Sequence, residues 1–277
     1  MSIQGLMKEK GMPVSIAQLC NIGGLPRSSF YHERGKRSRK WECDHDLEAR
    51  IKATIDNNPS WGLRMITAHI RSETSKPINR KKIHRIMKHN GWQAYKRPIG
   101  NRPRAKGMVS RVDTINTRWA IDATHIMCGQ DGWCHLTAVI DCCNREIVGY
   151  RFSRRGIARI AAGALEDGLV YRKITKGQTV ALRSDNGLVF GSKEFVGVVK
   201  KYGLDQEYIT PYTPEQNGMI ERFFRTLKEE CVWLNRFKSL EQAQKIVDEW
   251  IHKYNTQRPH SALGYRAPAA YPSDLAA

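Results

Sequence analysis

"TRWAIDATHI" (residues 117–126) and "WCHLTAVIDCCNREIVGYRFS" (residues 133–153) are where the chain changes texture. In the first, Trp119, Ile121 and Ala123 alternate with more polar neighbours, the two-residue period of a strand. The second is rich in β-branched and aromatic residues on either side of a turn near Cys142–Arg145, which predicts two tightly joined strands. Downstream, "ARIAAGALEDGLVYRK" predicts a helix, "TVALRSDNG" a strand, "SKEFVGVVKKYG" a helix and "QEYIT" a short strand. Two helices close the chain, in "TPEQNGMIERFFRTLKEE" (213–230) and "SLEQAQKIVDEWIHKYN". The order β-β-β-α-β-α-β-α-α predicts an α/β fold, a mixed five-stranded sheet with flanking helices.

Upstream the texture is helical and basic. "VSIAQLCNIGGLPRSSFYHERGKRSRK" predicts a short helix (Val14–Cys20), a Gly23-Gly24 turn and a second helix from Pro26, a helix-turn-helix-like segment over 1–40. Residues 41–92 predict a three-helix DNA-binding unit. Its first helix ends at Pro59, its second follows Trp61-Gly62, and its third runs from an Asn79 N-cap to a stop at Gly91. In the third helix Ile83, Ile86 and Met87 form an apolar stripe, and Arg80, Lys81, Lys82, Arg85 and Lys88 occupy the rest. A basic helix closing such a unit is suited to the major groove or to phosphates. The bland alternative is a solvated charged face. His84 and His89 on this helix read as phosphate-side or solvent residues rather than metal ligands. Residues 93–114 carry six Lys and Arg with two Pro and two Gly, which suggests a basic linker.

Charge divides along the same line. Residues 1–114 hold 24 Lys and Arg against nine Asp and Glu, whereas residues 115–277 hold 22 against 18, within a formal net charge of +19. One half is built to grip a polyanion, and double-stranded DNA is the expected partner. No apolar run approaches a membrane span, and no signal-peptide pattern opens the chain, so a cytoplasmic, nucleoid-associated protein without membrane contact is expected. Seven cysteines without a CxxC pair make a poor disulfide framework and a poor zinc site, so no zinc is expected.

Three carboxylates stand out in the balanced half, 115–277. Asp122 sits inside a strand, where a carboxylate is disfavoured. Asp185 lies at the end of the "TVALRSD" strand before an Asn186-Gly187 turn, so it is either a turn residue or a strand-end ligand. Glu221 opens a helix whose Ile220, Phe223, Phe224, Leu227 and Cys231 make an apolar stripe, with Glu221, Arg225 and Lys228 on the neighbouring stripe. Glu221 is either half of a surface pair with Arg225 or the third acid of a site. Three converging acids would repel one another unless cations neutralise them, and an all-oxygen set suits Mg²⁺ or Mn²⁺. Two such ions support in-line phosphoryl displacement on a phosphodiester. Arg225 and Lys228 either steer DNA phosphate toward the acids or remain solvated charges. Arg258 and His260 in "YNTQRPHSALGY" either pack the tail or touch DNA. Asp141 reads as a turn carboxylate, and His125 and His135 as sheet-face residues.

These residues carry a resemblance. Trp119, Asp122 and Thr124; Ser184, Asp185 and Gly187; Asn217, Glu221, Phe223, Phe224, Leu227 and Lys228; and Tyr254, Asn255, Arg258, Pro259, His260, Leu263, Gly264, Tyr265 and Pro268 stand in four ordered motifs. Together they resemble the DDE transposases of the insertion-sequence-three group, the second-reading-frame catalytic proteins, which are related to retroviral integrases. The resemblance runs from about residue 45 to the C-terminus. It implies a ribonuclease-H-like core in which Asp122, Asp185 and Glu221 are catalytic and bind two Mg²⁺ or Mn²⁺ ions. It further implies cleavage of element ends, strand transfer into target DNA, a homo-oligomer on DNA, and the upstream reading-frame product as a fusion partner. Two rivals share parts of this pattern: a catalytically silent DNA-binding repressor, and a nuclease that only nicks.

Overall fold

Strand β1 (Arg118–Met127) serves both sides of a sheet, and its alternation assigns each residue to a side. Trp119 and Ile121 join one apolar cluster, and Ala120 and Ile126 the other. The computed structural model describes residues 10–11, 14–30, 42–94, 110–175, 178–211 and 213–272, in two compact units that divide between Asp44 and His45.

In the first unit, helices α1 (Ile16–Ile22) and α2 (Arg27–Phe30) flank the Gly23-Gly24 turn, with Gly24 at φ +61°. Helix α1 starts two residues later than its apolar pattern suggests. Ser15 and Gln18 form a reciprocal capping box that satisfies the first free N–H groups and fixes the start.

The second unit begins with α3 (His45–Asn57), α4 (Leu63–Thr74) and α5 (Arg80–His89). Ile51, Trp61, Ile66, Ile70, Ile83, Ile86 and Met87 are buried between them. Asn79 caps α5 by accepting the Lys81 N–H at 2.8 Å, and Gly91 follows the helix at φ +68°. Of the basic linker expected over 93–114, residues 95–109 lie outside the described residues.

The sheet has the order β3-β2-β1-β4-β5, with β2 (Trp133–Asp141), β3 (Ile147–Ser153), β4 (Ala181–Ser184) and β5 (Asp205–Tyr208). The first three strands pair antiparallel, whereas β4 and β5 run parallel to β1. Helices α6 (Ala158–Tyr171) and α7 (Lys193–Tyr202) cover the side reached by Trp119 and Ile121. Helices α8 (Gly218–Glu230) and α9 (Leu240–Thr256) cover the other. Helix α6 approaches β3 so closely that a Cβ on Gly149 would stand 2.2 Å from the Ala164 carbonyl oxygen. Along the outer edge of β3, the Asn255 carboxamide accepts the Ile147 N–H at 3.0 Å and donates to its carbonyl at 2.9 Å.

Candidate active site

Asp122 shares the β1 face of Ala120 and Ile126, so it looks toward the layer that contains α8. Strand β4 ends at Ser184, and Asp185 follows at once, its carboxylate accepting the Gly187 N–H at 2.9 Å. The Asn186 side chain fixes that turn by donating to the Ile209 carbonyl at 2.9 Å. Helix α8 is held from beneath by Ile220, Phe223, Phe224 and Leu227, all buried, and Glu221 stands in its first turn. Phe223 is wedged against Phe224, Trp250 and Tyr254, which fixes the rotation of the helix and therefore the direction of its polar face.

The three acids share one electrostatic neighbourhood. The Asp122 carboxyl is pushed up to about 7, chiefly by burial; the Ala123 N–H opposes this, the Asp185 and Glu221 charges add to it, and Lys228 opposes it. Most of the Glu221 side chain stays open to solvent, yet partial desolvation of its carboxylate, with Glu215 beside it, also raises its proton affinity. Among the described residues none of the three carboxylates takes part in an ion pair. Arg225, the expected surface partner of Glu221, turns instead to Glu229 at 3.4 Å. Three acids without an ion-pair partner among the described residues, and with oxygen donors only, fit a hard divalent cation such as Mg²⁺ or Mn²⁺. One turn ahead of Glu221, the Asn217 carboxamide oxygen is buried with no partner among the described residues, a further oxygen at the same helix end.

The other expected site residues divide between this neighbourhood and the rest of the fold. Arg80, Lys81, Lys82, Arg85 and Lys88 are exposed on α5, around its buried apolar stripe. Lys228 stands near Asp122. Arg258 is largely buried, with its Nε and Nη2 donating to Glu230 at 2.9 and 2.7 Å, so its charge is balanced within the fold. His260 is buried against the Tyr254 ring. Asp141 is fully buried at the opposite end of the strands, accepting the Asn116 and Cys143 N–H groups. His125 and His135 pair across β1 and β2 with ring centroids 4.4 Å apart.

The sequence reading passed over the group that supports the site. Arg183, 1% exposed, lies on β4 between its register partners Ala120 and Glu207. It donates through Nε and Nη2 to Glu207 at 3.1 and 2.8 Å, and through Nη1 to the Gln216 carbonyl at 3.1 Å. Ser110 also donates to that carbonyl, and the Gln216 side chain brackets Thr210 through its N–H and its hydroxyl. One guanidinium thus ties the strand that leads to Asp185 to the segment that leads into α8. An arginine in the short buried strand β4, with a glutamate in the strand that follows it, was the available signal.

Comparison with known proteins follows the same division of the chain. Residues 113–214 and 202–268 match the integrase core domain, and residues 42–98 match an HTH-like domain. The chain is 29% identical over 266 residues to transposase InsD for insertion element IS2A/D/F/H/I/K of Escherichia coli, spanning 93% of this chain and 87% of that protein. A chain of the simian T-cell lymphotropic virus intasome, solved in complex with PP2A regulatory subunit B56 gamma, aligns with a TM-score of 0.51 at 16% identity. The alignment covers 74% of this chain and 73% of that one. The catalytic core domain of BIV integrase aligns with a TM-score of 0.42 at 20% identity, over 56% of this chain and 91% of that domain. The mixed sheet and its flanking helices form a ribonuclease-H-like integrase core, preceded by a helical, HTH-like domain.

Proposed function

Because the chain belongs to the transposases of the insertion-sequence-three group, with an integrase core behind an HTH-like domain, we propose that it cuts the DNA ends of its element and joins them to target DNA. Asp122, Asp185 and Glu221 are the catalytic residues of this reading and would hold two divalent ions, Mg²⁺ or Mn²⁺. The observation that carries it is the set of three neighbouring acids with no ion-pair partner among the described residues. When bound, such ions activate the attacking oxygen and stabilise the leaving one in an in-line displacement.

The chain's own residues supply position and charge. Asp122 and Asp185 are fixed by the sheet, and Glu221 is carried to them by a helix whose apolar face cannot rotate without losing its packing. Lys228, close to Asp122, balances part of the negative charge and stands where a DNA phosphate would approach. Arg225 lies one turn nearer Glu221, and its contact with Glu229 is long enough to exchange for a phosphate. The exposed bases of α5 would grip duplex DNA, element end or target, and two copies on paired ends would make the working assembly. Among the described residues no helix is long and apolar enough to cross a membrane.

Incubating the purified chain with labelled element-end duplex and Mg²⁺, then sizing the products, tests this. Cleaved and joined strands are expected, with Ca²⁺ supporting binding but little chemistry because of its looser coordination. Nicked product without joining would reduce the reading to a nuclease, and binding without cleavage would reduce it to a repressor.

A further inference from the structure

A cleft of about 280 Å³ lies away from the three acids, between α4, the start of α5 and the turn at Gly264-Tyr265. Among the described residues three arginines line it, Arg64, Arg71 and Arg80, and no carboxylate does. Arg71 is already held in place: its Nε and Nη2 both donate to the Ile78 carbonyl, at 2.9 and 2.7 Å, which leaves Nη1 free to serve a ligand. Arg64 and Arg80 have no ion pair among the described residues, and both are exposed. Three guanidinium groups around one opening, without an acid, repel one another and lack the bidentate acceptor that each is shaped to bind. The opening is lined from two parts of the chain nearly two hundred residues apart, so an occupant would also bridge the three-helix unit to the C-terminal segment of the core.

We propose that this cleft is a phosphate site that takes one backbone phosphodiester of duplex DNA, clamped by Arg64, Arg71 and Arg80. The chemistry of the site follows from the arginines alone; only the choice of DNA as the source of the phosphate rests on the function proposed above. A free phosphate offers the same oxygens, and the experiment separates the two.

The full chain is compared with Arg64→Gln/Arg80→Gln by thermal melting with and without inorganic phosphate, and by duplex DNA binding across a series of NaCl concentrations. Arg71 is left intact because it supports the α4–α5 connection. Lys245→Gln serves as a control, since Lys245 lies on α9 beside Glu241, outside the cleft. The double variant is expected to melt like the wild type in phosphate-free buffer and to lose the rise in melting temperature that phosphate gives the wild type. Its log–log salt slope should flatten by about 0.9, the loss of a single neutralised phosphate. Lys245→Gln should change neither reading. A slope and phosphate response equal to those of the wild type overturn the site while leaving DNA binding intact. A slope flattened by about 1.8 overturns it too, since the two arginines would then serve separate phosphates. If the wild type binds no duplex, the functional reading fails on its own. In that case a phosphate response lost in the variant keeps the site but overturns its DNA source, and no response overturns the site. Should the double variant fail to fold, Arg64→Gln alone is held to the same criteria.

Discussion

Asp122, inside β1, and Asp185, one residue past the end of β4, stand near enough for the charge of one to raise the proton affinity of the other. The β1–β4 pairing runs from Arg118 opposite Ala181 to Ala120 opposite Arg183, and both acids lie beyond its last pair. Like charges this close disfavour each other's ionised form, and Glu221 adds a third from α8. A sheet bears such an arrangement when something outside the chain makes it favourable.

Glu221→Gln keeps the size and helix propensity of the side chain and removes its charge. Cleavage and joining should fall by orders of magnitude while DNA binding persists. Without metal the variant should be more stable than the wild type. Relief on the order of 1 kcal/mol would raise the melting temperature by roughly 2–4 °C. Wild-type turnover by the variant would return Glu221 to the solvated surface.

Arg183→Met removes one member of a buried charged group and leaves Glu207 with Arg118 alone. The expected cost is about 3–5 kcal/mol in urea denaturation. Activity, measured below the unfolding transition, should fall further than the folded fraction accounts for, because the Gln216 segment ahead of Glu221 loses its anchor. A variant as stable as the wild type would show that the guanidinium holds nothing.

His260 gives the tail a dependence on pH. Burial, with Arg258 and then Arg145 nearby, holds its pKa down at about 3, against an ordinary value of 6.5. A depressed value means the folded state rejects the proton that the unfolded chain accepts. The stability this group allows is therefore complete above about pH 6.5. It is lost as pH falls toward 3, by at most about 1.4 kcal/mol per unit. Urea denaturation between pH 7.5 and 4.5 should show a shallower decline for His260→Phe than for the wild type. Parallel curves would mean the imidazole meets its proton without penalty.

Gly149→Ala drives a methyl group into the α6 backbone. With the Ala164 carbonyl oxygen 2.2 Å from that position, α6 must move off β3, at a cost of about 3 kcal/mol. Gly191→Ala meets nothing within 4 Å among the described residues and serves as the comparison in thermal melting. Equal melting temperatures would show that the helix–strand approach yields easily.

Sequence period alone was enough for features set by neighbours along the chain. The apolar stripe of α8 and the alternation of β1 follow from one residue's distance to the next, and so does the strand-end place of Asp185. Partnerships across the fold were hidden because they depend on strand order. Arg183 meets Glu207 only because β5 lies beside β4, and Arg258 meets Glu230 only because the segment after α9 reaches the end of α8. The Glu221–Arg225 pair looked available from spacing, yet Arg225 faces Glu229, a competitor on the same helix. The α1 start was misjudged for a local reason: the polar Ser15 and Gln18 outweigh the apolar Val14 once their reciprocal bonds are counted.

Asn255 lies in the closing motif, and its carboxamide imitates a neighbouring strand by meeting both backbone groups of Ile147 on the outer edge of β3. An uncovered edge is a template for pairing with other chains. Attempts to trim the protein to a minimal catalytic fragment therefore have a lower bound. A truncation before residue 255 would strip this cover and expose β3 to self-association, yielding aggregates even where every acid of the site is retained. The closing motif thus occupies the start of the β3 edge, independently of any contact it makes with nucleic acid.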